Sequence, residues 1–333
     1  MKKPMPLTDS FLTMAIFASL ILSSCATGPP TAEQLRTQEL AGGSMVEARR
    51  QAEEARHDAW RSAGLVKREI QVDSDRIVYL EGGQGETVLL LHGYTANKDF
   101  WTDFAKRLTQ DYHVVIPDLA GFGESAKRLD SNYNIDSQVK RLDRFAEVLQ
   151  LEKFHLVGNS MGGAVAAIYS ARFPQKVSTL ALLAPYGLGK AKKSEFWLQW
   201  DKGVNLLLIS NPDGFEKLLP YLFVKPPPMP GAFKKVLAAQ AMEAREFNAK
   251  IEKDLFEEKL DLEPFLPMIQ APVCIIWGDQ DRILDVSGVP ILEKGLKNHQ
   301  TFILKGTGHI PMMEKPAETA AVYIGFLKNQ RSM

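Results

Sequence analysis

From Thr87 to Pro185 the chain alternates short apolar runs with segments of helical spacing, and this alternation limits its possible folds more than any other feature. The apolar runs are bounded by turn residues, as buried strands are, and they include TVLLLHG, HVVIP, FHLV and VSTLALLAP. The segment DSQVKRLDRFAEVLQLEK between two of them has the spacing of an amphipathic helix. Parallel strands need such crossovers. We therefore predict an α/β fold with a mostly parallel central sheet flanked by helices.

The alternation is interrupted between residues 186 and 267, where stretches such as FWLQWDKGVNLLLI have helical character and no convincing strand occurs. It resumes with the runs PVCIIWGDQD and TFILKGTGH and ends in a helix near AETAAVYIGFLK. Because both flanks continue one sheet, we predict that residues 186–267 form a helical cap inserted into a core of residues 69–185 and 268–333. A second, unrelated helical domain is the alternative.

The first residues have the composition of a secretory signal. Two lysines precede an apolar run from Phe11 to Leu22, which small residues and Cys25 follow. That run is shorter than a comfortable membrane-spanning helix. The tetrapeptide LSSC, which ends at Cys25, resembles the bacterial lipobox, in which the signal is cut before a cysteine that receives a lipid. We predict a lipoprotein signal in residues 1–24, with an ordinary signal peptide or an uncleaved anchor as alternatives.

A lipid on Cys25 would fix the protein to a membrane of the bacterial cell envelope. We expect the outer membrane, with the protein facing the periplasm or the cell surface.

Residues 25–68 are predicted to form a tether followed by an N-terminal helix. The stretch ATGPPT, with two prolines, is typical of a tether. Ser44 and Glu47 form an S-x-x-E capping box, which predicts a helix start at Ser44, and Gly64 is a candidate helix end. The spacing leaves open whether this helix packs on the core or acts as a charged spacer. Its narrow apolar stripe would consist of Met45, Ala48, Ala52, Ala55 and Ala59.

Charge and cysteine content argue against several classes of function. Lys plus Arg and Asp plus Glu both number 40, so no strong field favours nucleic acid, and a neutral or amphiphilic small molecule is the expected partner. If Cys25 carries a lipid, no cysteine is left to pair with Cys274, which lies in the apolar run VCIIW. No H-E-x-x-H spacing occurs, and no Walker-type or dinucleotide-binding glycine pattern follows a strand. We predict no metal, no cofactor and no nucleic-acid partner, and the oligomeric state stays open.

Ser160 lies in the stretch LVGNSMGGA, between a predicted strand and a predicted helix. A serine that attacks a carbonyl from such a sharp turn needs small residues two positions before and after it, and Gly158 and Gly162 meet that need. The helix N-terminus behind the serine favours developing negative charge. We predict that Ser160 is a nucleophile, although a glycine-rich turn with a solvent-facing serine is the alternative.

A serine nucleophile needs a base and an acid that orients the base. Of the six histidines, His309 is the candidate base. It lies in the glycine-flanked loop KGTGHIPMME, after the last predicted strand and before the last helix. A carboxylate is expected at the end of another strand. The segment WGDQDRILD offers Asp279, Asp281 and Asp285.

Two backbone N–H groups are candidates to hold the oxyanion that acyl transfer creates. One belongs to Met161, the residue after the predicted nucleophile. The other belongs to Tyr94, which follows the strand TVLLLHG. His92 is interpreted as a structural histidine that braces this loop. Tyr94, Phe100 and Met161 are also candidates to line an apolar pocket.

Five motifs in order resemble the α/β-hydrolase superfamily from about residue 69 to residue 327. They are LLLHGYTANKDFW, PDLAGFGES, LVGNSMGG, WGDQD and GTGHIPMMEKP. The resemblance implies the order nucleophile, acid, base along the chain, and it selects Asp281 as the second acidic position of a G-D-x-D pattern, with Asp279 as the alternative. Haloalkane dehalogenases and epoxide hydrolases carry aspartate where this chain has Ser160.

Within the superfamily, HGYTANKDFW, GNSMGG and FVKPPPMP resemble bacterial lipases and monoacylglycerol-lipase-like carboxylesterases with a helical lid. This resemblance implies hydrolysis of acylglycerol or other lipid esters through an acyl-enzyme. The meta-cleavage C–C bond hydrolases share the triad and much of the loop pattern, so they are the alternative. A binding protein that keeps the fold without catalysis is a third hypothesis, against which the complete set of Ser160, Asp281 and His309 argues.

The lipobox prediction has a direct test. Replacing Cys25 by alanine removes the thiol that would carry the lipid, so we expect Cys25→Ala to abolish metabolic labelling of the protein with palmitate. Cys274→Ala is the matched control, because it removes the other cysteine and should leave labelling intact. Labelling of the Cys25→Ala protein at the wild-type level would refute the anchor.

Overall fold

An eight-stranded sheet forms the centre of the protein. The computed structural model describes residues 32–227, 229, 231–257 and 259–331. The strands are, in chain order, β1 (Leu65–Val72), β2 (Asp75–Gly82), β3 (Thr87–Leu91), β4 (His113–Pro117), β5 (Phe154–Asn159), β6 (Val177–Leu183), β7 (Val273–Gly278) and β8 (His299–Leu304).

Helices cover both faces of the sheet, and a group of them is inserted between β6 and β7. They are α1 (Ala32–Ser62), α2 (Thr102–Ala105), α3 (Ile135–Val148), α4 (Met161–Arg172), α5 (Glu195–Trp200), α6 (Pro212–Leu222), α7 (Gly231–Glu243), α8 (Arg245–Phe256), α9 (Val289–Gly295), α10 (Pro311–Glu314) and α11 (Pro316–Arg331). The insertion contains α5 to α8, and no strand lies among its described residues.

The strand order is β1-β2-β4-β3-β5-β6-β7-β8. The pairs β1–β2 and β2–β4 are antiparallel, and every other neighbouring pair is parallel. The prediction of a mostly parallel sheet flanked by helices is therefore confirmed. Because parallel strands share a direction, the loops that follow β3 to β8 meet at one edge of the sheet, which is where ligands bind in open α/β sheets.

The hydrophobic core lies in two layers, one on each face of the sheet. Side chains alternate between the faces along each strand, so that Leu89 and Leu91 belong to one layer while Val88 and Leu90 belong to the other. Strands β5 and β7 are buried at every position, as strands covered by helices on both sides must be.

Helix α1 begins earlier than predicted. It runs from Ala32, so Ser44 lies within the helix and the prediction of a capping box at Ser44 and Glu47 is wrong. The preceding sequence AEQLRTQEL consists mainly of strong helix formers, which extend the helix upstream. The Glu47 carboxylate instead accepts hydrogen bonds from Arg50 and Gln51, each at 2.7 Å.

The apolar stripe of α1 packs on the inserted helix α7, which decides between the two interpretations of this segment. Ala48 and Ala52 are buried in a cluster with Val236. An ion pair between Arg49 and Glu243 lies beside the cluster, with 2.6 Å between its nitrogen and oxygen atoms. The helix thus contacts the insertion directly.

Strand β1 begins at Leu65, ahead of the predicted core boundary at residue 69, because its pairing with β2 starts at Leu65 opposite Gly82. Gly64 precedes it with a positive φ of 68°, a conformation that glycine adopts without strain.

The predicted signal, Cys25 and the first part of the tether lie outside the described residues. Within the part of the chain that the structure describes, no helix has both the length and the apolar character that crossing a membrane requires.

Candidate active site

Ser160 lies on a strained turn between β5 and α4. Its φ of 55° and ψ of −118° are unusual for a residue with a side chain. Backbone hydrogen bonds hold the turn in place, since Ser160 N–H donates to Leu183 O and Ser160 O accepts from Tyr186 N–H, both at 3.0 Å. The side chain is half-buried and lines the cavity described below.

The turn is tight because the backbone on either side of Ser160 comes into close contact. A Cβ atom at Gly158 would lie 2.2 Å from the carbonyl oxygen of Gly162. A Cβ atom at Gly162 would lie 2.5 Å from the carbonyl oxygens of both Leu91 and His92, on the neighbouring strand β3 and the loop after it. Neither position has room for a side chain.

Asp281 and His309 are brought together from the loops after β7 and β8. The distance between Asp281 Oδ2 and His309 Nδ1 is 2.8 Å, and both side chains are buried. The other carboxylate oxygen, Oδ1, accepts the backbone N–H groups of Ile283 and Leu284 at 2.8 and 2.9 Å. Because an ionised carboxylate only accepts, Nδ1 donates the proton and the lone pair of His309 is on Nε2.

The other two candidate carboxylates have different partners. Asp279 accepts the Thr307 backbone N–H at 3.4 Å and lies 3.7 Å from Lys305 Nζ. Asp285 accepts the Ser287 backbone N–H at 2.9 Å. Of the three aspartates in this segment, Asp281 is therefore the one placed to orient the imidazole.

The loop that carries His309 is anchored on several sides. His309 N–H donates to Leu222 O at 2.9 Å, and Asn159 Nδ2 donates to His309 O at 3.2 Å. Glu314 accepts the backbone N–H of Gly308 at 2.7 Å. These bonds join the loop to the inserted helix α6 and to the residue before Ser160.

Tyr94 and Met161, the two predicted oxyanion donors, flank Ser160. Met161 is the first residue of α4, so its N–H has no acceptor within the helix. Tyr94 lies in the loop after β3, and its hydroxyl donates to Asn248 O on α8 at 2.7 Å. Both residues line cavities that Ser160 also lines.

His92 connects the loop after β3 to the loop after β4. Its Nε2 accepts the Leu119 backbone N–H at 3.0 Å, and its Nδ1 donates to Gly93 O at 2.8 Å. Burial lowers the pKa of His92, so the ring is neutral and both of its nitrogens are occupied. This arrangement fits a bracing role.

A buried charged cluster supports the same two loops; it comprises Arg56, Lys98, Asp99, Asp118 and Glu124. Lys98 Nζ lies 2.9 Å from Asp118 Oδ2 and 2.8 Å from Glu124 Oε1. Asp118 also accepts the backbone N–H groups of Lys98 and Glu124, at 2.7 and 2.8 Å. Burial disfavours the charged form of Lys98, but the surrounding carboxylates outweigh it and raise the pKa.

Two cavities meet at Ser160. The larger has a volume of about 170 Å³, and its wall includes Ser160, His309 and Lys127. The smaller has a volume of about 30 Å³ and lies among aromatic side chains such as Trp197 and Phe256. Tyr94 and Phe100 line the larger cavity and Tyr94 and Met161 the smaller, so the three predicted pocket residues all contact open space beside Ser160.

The larger cavity has an apolar wall and a polar wall. The apolar wall comes from the insertion, and its members include Ile209, Phe215 and Leu218. The polar wall includes Lys127, in the loop after β4, and Asn248 on α8. A ligand in this cavity therefore meets both kinds of surface.

Three residues of the site carried no assignment in the sequence analysis. Asn159 and Glu314 anchor the His309 loop, and Lys127 lies in the cavity wall. Asn159 is next to the predicted nucleophile, which is a usable signal. Lys127 gives no signal, because a lysine after a glycine-rich loop is ordinarily solvated.

The described residues contain no group of three or more His, Cys, Asp or Glu side chains that could hold a metal ion.

The close backbone contact at Gly158 makes a specific prediction. Gly158→Ala would place a methyl group 2.2 Å from Gly162 O, and we expect it to lower the free energy of unfolding by about 1–3 kcal/mol or more, because overpacked sites must distort. Urea unfolding followed by circular dichroism measures this change, and the turnover of an ester measures its effect on Ser160.

The matched control is Gly231→Ala, at the start of α7, where an added Cβ meets no atom within 4 Å. Since alanine favours helix over glycine, this variant should be neutral or more stable by up to about 1 kcal/mol. Wild-type stability and turnover in Gly158→Ala would contradict the geometry of the turn.

Comparison with known proteins relates this geometry to a family. A model of the α/β hydrolase fold family matches residues 86–316. The chain is 34% identical to Lipase 1 of Psychrobacter immobilis over an alignment of 256 residues. That alignment covers 76% of this chain and 80% of the lipase. It is 35% identical to monoacylglycerol lipase ABHD6 of Homo sapiens, also over 256 residues. This second alignment covers 74% of this chain and 76% of the human protein.

A solved structure of a membrane phospholipase A, described as a bacterial virulence factor, superposes with a TM-score of 0.85 at 40% identity. It covers 90% of this chain and 97% of that one. The matches in sequence and in structure extend over most of the chain and include the strands and loops that form the site. This chain belongs to the α/β-hydrolase fold family.

Proposed function

We propose that this protein hydrolyses carboxylic esters of lipids, acylglycerols among them, with Ser160 as nucleophile, His309 as base and Asp281 as the orienting acid. One observation carries the proposal: a serine on a strained turn lines a cavity together with a histidine whose Nδ1 is bonded to a buried carboxylate. The chain is a carboxylic ester hydrolase, since its relatives above 30% identity include lipases and monoacylglycerol lipases.

The reaction follows from the positions of these groups. His309 Nε2 takes the proton of the Ser160 hydroxyl as the oxygen attacks the ester carbonyl. Asp281 stabilises the imidazolium that results. The N–H groups of Tyr94 and Met161 hold the oxyanion of the tetrahedral intermediate. His309 then protonates the leaving alcohol, and a water molecule repeats the sequence to release the acid.

A preference for lipid esters is supported by the apolar wall of the larger cavity. An acyl chain that packs against Ile209, Phe215 and Leu218 leaves water, and each buried CH₂ contributes about 0.8 kcal/mol to binding. In this proposal residues 186–267 act as the cap that supplies this wall. The protein would reach its substrate from a membrane to which lipidated Cys25 attaches it in the bacterial cell envelope.

The nucleophile is tested with p-nitrophenyl esters of increasing acyl length. Ser160→Ala removes the attacking oxygen, and we expect kcat to fall at least about ten-thousand-fold. Ser170→Ala is the matched control, because that buried serine donates only to Ala166 O within α4. Undiminished turnover by a folded Ser160→Ala protein would refute the nucleophile.

The same assay separates the ester function from C–C bond hydrolysis, the alternative on this fold. If the wild-type protein left every ester intact and hydrolysed a ring-fission dienone acid instead, the ester proposal would fail and the alternative would replace it.

The acid is tested by two neighbouring substitutions. Asp281→Asn keeps the size of the side chain but removes the charge that stabilises the imidazolium, so we expect kcat to fall about 10³- to 10⁴-fold. Asp279→Asn makes the same change on a side chain bonded to Thr307, and we expect kcat to stay within about threefold of the wild type. The reverse ranking of the two variants would assign the acid to Asp279.

A further inference from the structure

Lys127 is the one formally charged side chain among the described residues that line the larger cavity. It lies in the loop after β4, and its Nζ donates to the carbonyl oxygen of Gly123 at 3.0 Å. No carboxylate oxygen in the described ranges lies within ion-pair distance of this nitrogen. A carbonyl oxygen compensates only part of an ammonium charge.

The nearby carboxylates are already neutralised by other cations. Glu124 lies 2.8 Å from Lys98, 2.8 Å from Lys67 and 3.5 Å from Arg56. Asp118 has Lys98 at 2.9 Å. The positive charge of Lys127 is therefore in excess at the cavity wall, next to the buried charged cluster.

Partial burial makes this excess charge costly. Desolvation lowers the pKa of Lys127 to about 8, although Asp118 and Glu124 act in the opposite direction. An anion in the cavity would supply the missing counter-charge. Because the same cavity contains Ser160 and His309, that anion would belong to a bound substrate or product.

The two walls of the cavity assign the parts of such a substrate. The apolar wall on α6 lies beside the His309 loop, since His309 N–H donates to Leu222 O. The loop that carries Lys127 lies instead beside α8, where a Cβ at Gly121 would contact Ile251. An acyl chain fits against the first wall. The alcohol portion lies next to His309, which protonates it as it leaves, and Lys127 lines the same cavity as His309, so one bound alcohol portion can contact both.

On this basis, which rests on the proposed function, we propose that Lys127 is a substrate-binding residue that recognises a phosphate group on the alcohol portion, so that the site prefers acylated glycerophosphates to neutral acylglycerols. In such a lipid the phosphate and the ester share one glycerol unit, so one cavity holds both. A neutral acylglycerol offers no group that compensates Lys127. The carboxylate of a released fatty acid forms at Ser160, where the oxyanion donors and His309 already interact with it.

The test compares two substrates with the same acyl chain, oleoyl lysophosphatidate and monooleoylglycerol, dispersed in micelles of a neutral detergent. The measured quantity is the ratio of kcat/KM for the phosphate-bearing substrate to kcat/KM for the neutral one. We expect Lys127→Met to lower this ratio about tenfold or more, chiefly through KM, as loss of a charge-assisted hydrogen bond does. Lys127→Arg retains a cation and should restore most of the ratio.

Lys106→Met is the matched control, because it removes the same charge from an exposed position outside both cavities. Its ratio should stay within about twofold of the wild type. An unchanged ratio in Lys127→Met, or an equal loss on both substrates, would overturn the proposal, since the lysine would then have no part in recognising phosphate.

Inhibition by oleate is compared with inhibition by oleyl alcohol, which has the same chain without the charge. The comparison shows whether Lys127 binds the phosphate group of a substrate or the carboxylate of a released fatty acid. If Lys127→Met weakened inhibition by oleate and left the substrate ratio unchanged, the anion would be the product carboxylate and the phosphate assignment would be wrong.

A binding measurement keeps this question separate from catalysis. The Kd of oleoyl lysophosphatidate for Ser160→Ala should rise about tenfold when Lys127→Met is added. An unchanged Kd would refute the role of Lys127 whatever the catalytic result. If the wild type hydrolysed neither lipid while this difference in Kd persisted, the proposed function would fail and the phosphate site would stand.

Discussion

The active site depends on the buried ion pair of Lys98 and Asp118, whose charged atoms are 2.9 Å apart and whose side chains have no exposure to solvent. Burial of two charges is costly, and it is tolerated only where each charge is paired and hydrogen-bonded. Here Asp118 also accepts the backbone N–H groups of Lys98 and Glu124. The pair thus joins the segment after β3 to the loop after β4, and both contribute to the wall around Ser160.

The strain at Ser160 is sustained by the neighbouring strands. Its positive φ is held by hydrogen bonds to Leu183 and Tyr186 and by the close approach of Gly162 to β3. In return, the side chain is held at the edge of the sheet where the loop of His309 also lies. The strained turn persists because the packed core on both faces of the sheet stabilises the surrounding structure. The fold therefore sets the position of the serine hydroxyl.

The sheet was predictable, because it follows from hydrophobic runs and the turn residues at their ends, whereas the order of nucleophile, acid and base along the chain was implied by the resemblance to the α/β-hydrolase superfamily. The start of α1 was not predicted correctly. The capping signal at Ser44 suggested a start there, but the helix-forming residues upstream extend the helix to Ala32. Residue spacing alone left three aspartates as candidates for the acid. The choice depends on which carboxylate contacts His309, and that carboxylate belongs to Asp281, 28 residues earlier in the chain. Lys127 was missed because a lysine after a glycine-rich loop is ordinarily solvated, and only the folded chain places it in the wall of a cavity that the insertion also lines.

Helix α1 has a mechanical consequence. At one end Trp60 Nε1 donates to Asp99 at 2.8 Å, which ties the helix to the rigid core, and nearer the other end Arg49 pairs with Glu243 on α7. The helix therefore acts as a strut between the sheet and one helix of the insertion. A displacement of α7 away from α1 has to break that ion pair and separate the buried alanines of α1 from Val236. A movement of α7 is thus coupled through α1 to the segment after β3 that carries Asp99.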